Sequence, residues 1–297
     1  MAQVNPSSQD LPRPSIAIIG CGSLGTAILQ GLLDAKEPKV QPTKIRATVT
    51  SESSANTLRK AFENNAIEVE VSQGQNVAAA KESDAIILAC PPNVMSEVLS
   101  EAGIREALQH KLLISVLAGV DRASLETAIY GDKTTSQNAA DRCWVVRAMP
   151  NLAASMGAST TAIEVSDPML LADKAKLVDS IWEQLGGIVH VPASLMNAST
   201  VLCGSTPAFI ALFMDGLIDG AVAAGVPRAK ADAMAAQVLA STAALLKQGQ
   251  RPSTLRESVC AMPGCTIQGN ISLEEGGVRG ASAKAMKLAI DAASQLG

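Results

Sequence analysis

A short apolar run followed at once by closely spaced glycines constrains the fold of this chain more than any other feature. The run Ser15–Ile19 ends at Gly20, and glycine recurs at Gly22 and Gly25 before an amphipathic helix over residues 26–35. A strand, a GxGxxG turn and a helix in this order are the context that a dinucleotide-binding fingerprint requires. The first glycine permits a tight turn, the second lets the backbone approach a pyrophosphate, and the third allows the helix to pack on the strand. The pattern predicts a nucleotide site near the start of the chain.

Strand-like and helix-like segments then alternate over almost two thirds of the sequence. Helices are predicted over 53–64, 76–81, 93–100 and 168–184, and strands over 44–49, 67–71, 84–89, 112–116, 144–151, 158–165 and 187–192. Such alternation predicts an α/β fold with a doubly wound, mostly parallel sheet of the Rossmann type. Ligands of these sheets bind at the carboxyl ends of the strands, where breakers follow at Gly20, Pro91, Gly119 and Pro150.

The character of the chain changes near residue 194, where strand-like segments stop. We therefore predict a disordered tail over 1–14, a dinucleotide-binding domain over 15–193 and an all-helical domain over 194–297, with Pro207 and Pro227 in the first turns of two helices. The many small residues of the predicted helical domain suit close helix packing, including packing between subunits. Asp215 and Asp219 stand four apart and could pair as catalytic carboxylates, but polar residues at a helix contact are the favoured interpretation.

Composition excludes several classes of function. A net charge of -4 and an aromatic content of 2% disfavour nucleic-acid binding. We find no apolar run that approaches a membrane span and no signal peptide, which predicts a cytoplasmic protein without a membrane partner. Six scattered cysteines and two distant histidines, His110 and His190, give no metal set, so most cysteines are expected to be small buried residues. The histidines are expected in a loop or at a strand edge.

Thr50 and Ser51 at the tip of the second predicted strand, with Arg59 on the following helix, favour NADPH and leave NADH possible. Hydroxyls with a nearby base accommodate a 2′-phosphate, whereas an acid at this tip binds the 2′-hydroxyl of NADH. Glu52 is an acid close to this tip and would favour NADH, although it could simply stabilise the start of the helix.

The stretch Pro252–Gly280 is predicted to interrupt a buried, helix-rich region at Met262-Pro263-Gly264. A new helix would begin near Cys265 and Thr266, and its free amide groups would form an anion site for a substrate carboxylate. With a nicotinamide supplying the reactive hydrogen, this site suits hydride transfer to a protonated imine, which needs less acid help than a ketone.

Over residues 16–293 the chain resembles the Δ1-pyrroline-5-carboxylate reductases. The resemblance is carried by the glycine turn and by four further blocks: Arg147–Asn151, Leu202–Phe209, Asp219–Pro227, and Pro263–Ile267 followed by Leu273–Arg279. It implies an NAD(P)H-dependent oxidoreductase that reduces the C=N bond of 1-pyrroline-5-carboxylate to L-proline, in proline biosynthesis. It also implies a homodimer or larger homo-oligomer whose C-terminal helices interleave between subunits, so that each active site contains residues of the partner subunit.

The same resemblance implies a set of site residues. For the cofactor these are Ile19, Gly20, Cys21, Gly22, Ser23 and Leu24 at the pyrophosphate, Thr50 and Ser51 at the 2′ position, Asn76 at the ribose, and Ala89, Cys90, Pro91, Pro92, Val116, Leu117, Ala118, Met149 and Asn151 along the cofactor path. For the substrate they are Gly264, Cys265 and Thr266, with Thr266 and Ser205 as the catalytic residues.

Departures from the family pattern keep two alternatives open. Ala261 replaces a hydroxyl residue, Met262 and Pro263 change the loop that follows, and Ser23, Pro91, Leu152 and Thr206 also differ from the usual residues. The substrate could therefore be a related cyclic imino acid, or the chain could be a non-catalytic NADP-binding protein. A β-hydroxy-acid dehydrogenase is disfavoured because no suitably placed lysine is found.

Overall fold

A computed structural model of the chain describes residues 12–131, 141–260 and 264–296. The predicted tail at 1–14 lies mostly outside these residues, and so do residues 261–263 of the predicted helix break. In the described part of the tail, the carbonyl groups of Pro12 and Pro14 accept hydrogen bonds from the amides of Gln41 and Thr43, each 2.9 Å long. Residues 12–14 therefore run alongside the folded chain and are not free there.

Within the described residues, one sheet contains the strands β1 (Ser15–Ile19), β2 (Lys44–Val49), β3 (Glu68–Gln73), β4 (Ala85–Leu88), β5 (Leu112–Ser115), β6 (Trp144–Met149), β7 (Ser159–Glu164) and β8 (Gly186–Val191). Their order is β3-β2-β1-β4-β5-β6-β7-β8. Strands β1 to β6 are parallel, β7 is antiparallel to β6, and β8 is parallel to β7. The predicted doubly wound, mostly parallel sheet is confirmed.

The sheet is buried on both faces because its central strands are apolar throughout. In β1, Ile16 and Ile18 face one core cluster while Ala17 and Ile19 face the other. The first face is covered by α1 (Ser23–Leu33), α2 (Glu52–Phe62) and α7 (Ala172–Leu185), and the second by α3 (Asn76–Lys81), α4 (Met95–Leu99), α5 (Ile104–Leu108) and α6 (Arg122–Tyr130). Because β1 to β6 are parallel, their carboxyl ends lie at one edge of the sheet.

The chain divides into two compact units, Met1–Gly204 with Ile290–Gly297, and Ser205–Ala289. The short helix α8 (Met196–Thr200) and a π-helical turn, Val201–Ser205, precede the second unit. The helices that follow are α9 (Thr206–Ala223), α10 (Arg228–Lys247), α11 (Pro252–Val259), α12 (Cys265–Glu275) and α13 (Val278–Ala293). The all-helical character predicted for this part of the chain is confirmed over the described residues, with Pro207 in the first turn of α9 and Pro227 just before α10.

The second unit is far less buried than the sequence predicted. None of the described residues of α9, α11 and α12 is buried in the single chain, so the expectation of a buried region around Pro252–Gly280 is wrong for one chain. Large apolar side chains of α9 such as Leu212, Phe213 and Leu217 are 76%, 42% and 48% exposed. A face this apolar needs a partner surface that the single chain does not provide.

The helical stretch Ala193–Ala223 corrects another prediction. At 31 residues it is long and apolar enough to cross a membrane, by length and composition alone. The expectation that no apolar run approaches a membrane span is therefore wrong. One such helix is weak evidence for a span, because core helices of soluble proteins and signal sequences are equally long and apolar.

The cysteines also divide differently from the expectation. Cys21, Cys90 and Cys143 are buried, Cys203 and Cys260 are half-buried, and Cys265 is exposed. The two histidines lie as predicted, His190 in the edge strand β8 and His110 in the turn before β5.

Candidate active site

The three glycines of the first turn differ in their surroundings. Gly20 has a φ of +93°, and a Cβ atom there would lie 2.6 Å from the amide nitrogen of Cys90. A Cβ atom on Gly25 would lie 2.5 Å from the carbonyl oxygen of Gly20. At Gly22, by contrast, a Cβ atom would meet nothing within 4 Å. Close packing therefore requires Gly20 and Gly25, while Gly22 leaves open space where a pyrophosphate can approach the backbone.

The turn is held against the neighbouring strand by Thr48 of β2. The carbonyl oxygen of Thr48 accepts hydrogen bonds from the amides of Gly20, at 3.2 Å, and Cys21, at 2.9 Å. Helix α1 begins directly afterwards at Ser23, and its N-cap Gly22 makes no side-chain cap. The first amide groups of a helix have no intrahelical acceptor, so this helix start is suited to bind an anion.

The ends of β4 and β5 bring further predicted residues to the same edge. The amide of Ala89 donates to Ile19 at 2.8 Å, and the amide of Val116 donates to Leu88 at 3.0 Å. The residues after β4 and β5 thus lie beside the glycine turn, in the order of the strands in the sheet. The strand order reverses between β1 and β4, next to these residues. Ligands of doubly wound sheets bind at this switch point.

The side chains along this edge differ in exposure. Gly22, Ser23, Thr50 and Pro91 are exposed, whereas Ile19, Cys21, Cys90, Val116, Leu117 and Met149 are buried. Contacts from the buried residues to a dinucleotide would have to be made by their backbone. Burial raises the pKa of the Cys21 thiol to about 12 and that of Cys90 to about 11, so both thiols stay protonated and neutral at ordinary pH.

At the tip of β2, Thr50 is exposed and the Ser51 hydroxyl caps α2 by accepting a hydrogen bond from the Ser54 amide at 3.2 Å. Arg59 is the base predicted to lie behind them. Its Nη1 atom lies 2.6 Å from Glu52 Oε1, and its Nε and Nη2 atoms donate to the Val71 carbonyl. The predicted base is therefore engaged by an acid of the same helix.

Asn76, the predicted ribose contact, begins α3 beside the glycine turn. Its Oδ1 atom accepts a hydrogen bond of 2.8 Å from the Thr48 hydroxyl, and its Nδ2 atom donates to Glu101 Oε2 at 3.3 Å. Neither Thr48 nor Glu101 was predicted from the sequence. A threonine in the otherwise apolar carboxyl half of β2 was the available signal for Thr48, whereas no sequence pattern links Glu101 to Asn76.

Met149 and Asn151 lie at the end of β6. Met149 packs in a small apolar cluster with Ala118 and Cys203. Asn151 Nδ2 donates to the Cys203 carbonyl at 2.8 Å. The first unit thus brings together, on one sheet edge, the residues predicted for the cofactor.

The predicted substrate residues belong to the second unit. Helix α12 begins at Cys265 as predicted, and its N-cap Gly264 makes no side-chain cap. Gly264, Cys265 and Thr266 are all exposed, so the amides at this helix start are open to an anion. Ser205 is the N-cap of α9 and is half-buried.

Among the described residues, no group of three or more histidine, cysteine, aspartate or glutamate side chains could hold a metal ion. The glycine turn, the uncapped start of α1 and the switch point fit a dinucleotide. Fold and site together define a dinucleotide-binding protein with a helical C-terminal unit.

Comparison with known proteins narrows this class to one family. Residues 193–296 match the family model for pyrroline-5-carboxylate reductase dimerisation, and residues 15–119 match that for NADP oxidoreductase, coenzyme F420-dependent. A pyrroline-5-carboxylate reductase from Lophium arboricola is 42% identical over 95% of this chain and 93% of its own length. One from Neurospora crassa is 39% identical over the same shares of the two chains.

The fold agrees with these relatives. The crystal structure of Plasmodium falciparum pyrroline carboxylate reductase with NADP bound has a TM-score of 0.80 and 22% identity, and covers 97% of this chain and 99% of that one. The chain belongs to the pyrroline-5-carboxylate reductase family.

Proposed function

We propose that this protein reduces the C=N bond of 1-pyrroline-5-carboxylate to L-proline with a reduced nicotinamide cofactor, as an enzyme of proline biosynthesis. The observation that carries the proposal is the 42% identity to a pyrroline-5-carboxylate reductase, which spans both units of the chain. The sheet edge supports it, because Gly20, Gly22 and Gly25 form a turn that a dinucleotide fits.

The bound nicotinamide would supply the hydride, and the residues of the chain would bind and orient the cofactor and the substrate. Amides at the start of α1 hold the pyrophosphate, while Thr50 and Ser51 receive the adenine ribose, with NADPH preferred and NADH accepted. The buried thiols of Cys21 and Cys90 are neutral and add no charge beside the reacting groups. A protonated imine needs no strong acid from the protein, in keeping with a site that contains no histidine.

The substrate carboxylate is proposed to bind the amides at the start of α12. Gly264 leaves that helix without a side-chain cap, and Cys265 and Thr266 are exposed there. The Thr266 hydroxyl is proposed to lie near the ring nitrogen, with Ser205 as the second catalytic hydroxyl.

A homodimer in the cytoplasm is part of the proposal. The match of residues 193–296 to a dimerisation family supports association through the helical unit. The exposed apolar side chains of α9 support it further, because pairing with a second copy would remove them from water.

A related cyclic imino acid is the second candidate substrate. Pro91 and Leu152, two departures from the family pattern, are both exposed. Exposed changes can alter what a site accepts without disturbing the core. Ala261 and Met262, the other departures that support this candidate, lie outside the described residues.

The proposal is tested with purified protein by following the loss of reduced-nicotinamide absorbance. The substrates compared are 1-pyrroline-5-carboxylate and piperideine carboxylates. The highest kcat/KM is expected with 1-pyrroline-5-carboxylate, whereas a large preference for a piperideine carboxylate would favour the second candidate. Thr266→Ala should raise KM and lower kcat. Thr127→Ala, at an exposed position of α6, serves as the control. Equal kinetics of the two variants would remove Thr266 from the site.

A further inference from the structure

The acid at the start of α2 contacts the base that a cofactor phosphate would need. Glu52 is the first residue of α2, and its Oε1 atom lies 2.6 Å from Nη1 of Arg59, two turns further along the helix. The same nitrogen donates to Asn56 Oδ1 at 2.9 Å. The other side of the guanidinium is anchored to β3, where Nε and Nη2 donate to the Val71 carbonyl at 3.2 and 3.0 Å.

This ion pair lies where the adenine ribose of a bound dinucleotide is recognised. Glu52 follows Thr50 and Ser51 directly, and the strand that ends there is bonded to the glycine turn through Thr48. In doubly wound folds an acid at this tip binds the ribose 2′-hydroxyl, and a nearby arginine accommodates a 2′-phosphate. The chain offers both groups, and they bind each other.

We infer that Glu52 sets the preference between NADPH and NADH by holding Arg59, an inference that rests on the proposed function. A 2′-phosphate gains from the guanidinium only if it competes with the Glu52 carboxylate, and that carboxylate also repels it. An unphosphorylated ribose meets no such opposition. Glu52 therefore weakens NADPH binding relative to NADH, and the protein discriminates less strongly than Arg59 alone would allow.

Removal of the carboxylate charge has a limited expected effect because the pair is exposed. The Arg59 and Glu52 side chains are 43% and 55% exposed, so solvent screens their interaction. In Glu52→Gln, the amide oxygen can still accept from Arg59, which keeps the guanidinium in place without neutralising it. We expect the ratio of the Kd for NADH to that for NADPH to rise about fivefold.

Calorimetric titration of the full chain with NADPH and with NADH, without substrate, tests the inference. Glu63→Gln is the matched control, because it removes the same charge from an exposed position at the other end of α2. The expected result is a shifted ratio in Glu52→Gln, a shift that shrinks at high salt, and no shift in Glu63→Gln. An unchanged ratio in Glu52→Gln, or an equal shift in both variants, would overturn the inference.

A second comparison tests the route through Arg59. In an Arg59→Gln background, Glu52→Gln should shift the ratio by less than half as much, whereas a full shift would show that Glu52 does not act through Arg59. A purely structural role of Glu52 at the helix start would change the melting temperature and leave the ratio unaltered. Because binding is measured without substrate, inactivity towards 1-pyrroline-5-carboxylate would refute the proposed function and leave this test intact.

Discussion

Replacement of Gly22 by valine is expected to separate cofactor binding from folding. A Cβ atom at Gly22 would meet nothing within 4 Å, and the residue has φ and ψ of -76° and -156°, an extended backbone open to any side chain. A valine side chain therefore has room here, and we expect it to occupy the space through which a pyrophosphate would reach the backbone amides. We expect Gly22→Val to fold normally and to lose the cofactor.

The expected loss follows from the contacts that the side chain would block. A hydrogen bond to a charged group contributes about 1.5–3 kcal/mol. Loss of two such bonds from the start of α1 would weaken dinucleotide binding by about 3–6 kcal/mol, or about 10²- to 10⁴-fold in Kd. The cost to stability is at most about 1 kcal/mol, since valine is a poorer N-cap than glycine.

Titration with NADPH and thermal unfolding of the same preparations measure the two effects. Gly187→Val is the matched control, because Gly187 in β8 also has nothing within 4 Å of a Cβ atom and is exposed. Gly187→Val should keep both the affinity and the melting temperature. If Gly22→Val binds NADPH as tightly as the parent protein, the pyrophosphate does not lie against this turn and the assignment is refuted.

Three further predictions concern residues around the first unit. Gly31→Ala should lower stability by about 1–3 kcal/mol, seen as a lower melting temperature, because its Cβ atom would lie 2.1 Å from the Ala154 carbonyl oxygen; an unchanged melting temperature would contradict it. Thr48→Val should weaken dinucleotide binding about fivefold in a titration, because Asn76 loses its 2.8 Å hydrogen bond, and unaltered affinity would exclude that role. Burial raises the pKa of the Cys21 thiol from 9.0 to about 12 in the folded state. Above pH 9 the unfolded state therefore binds fewer protons than the folded state. The free energy of unfolding should fall as the pH rises from about 9 to about 12. Cys21→Ala should make that alkaline fall shallower in denaturant titrations, and an equal slope would show that Cys21 does not contribute.

Local signals in the sequence were sufficient for most of the first unit. Strand β2 and helix α3 have the predicted bounds, and the other elements of the sheet lie within a few residues of them. Continuous apolar runs mark the central strands because both faces of the sheet are buried. Gly20, Gly22 and Gly25 could be assigned separate roles because each role depends on backbone geometry within one turn.

Contacts between distant segments were not predictable in the same way. Thr48 and Asn76 are 28 residues apart, and their hydrogen bond depends on where β2 and α3 meet. Arg59 was predicted as the base near the 2′ position, but the sequence does not show that its side chain reaches the Val71 carbonyl on β3. Side-chain partners of this kind follow from the packed arrangement and not from local pattern.

The prediction that the second unit is buried was wrong for a different reason. An apolar helix pattern does not show which surface covers the helix. The helical stretch Ala193–Ala223, which ends with α9, is long and apolar enough for a membrane, yet it carries Asp215 and Asp219. Asp219 pairs with Arg228 at 2.5 Å. Charged side chains within the hydrocarbon of a bilayer are costly and rare. At a helix–helix contact Phe213 and Leu217 can be covered while Asp215, on the opposite side of α9 by the 3.6-residue period, stays in water. The energetic balance therefore favours a second protein chain over lipid as the partner of this face, which supports the proposed homodimer.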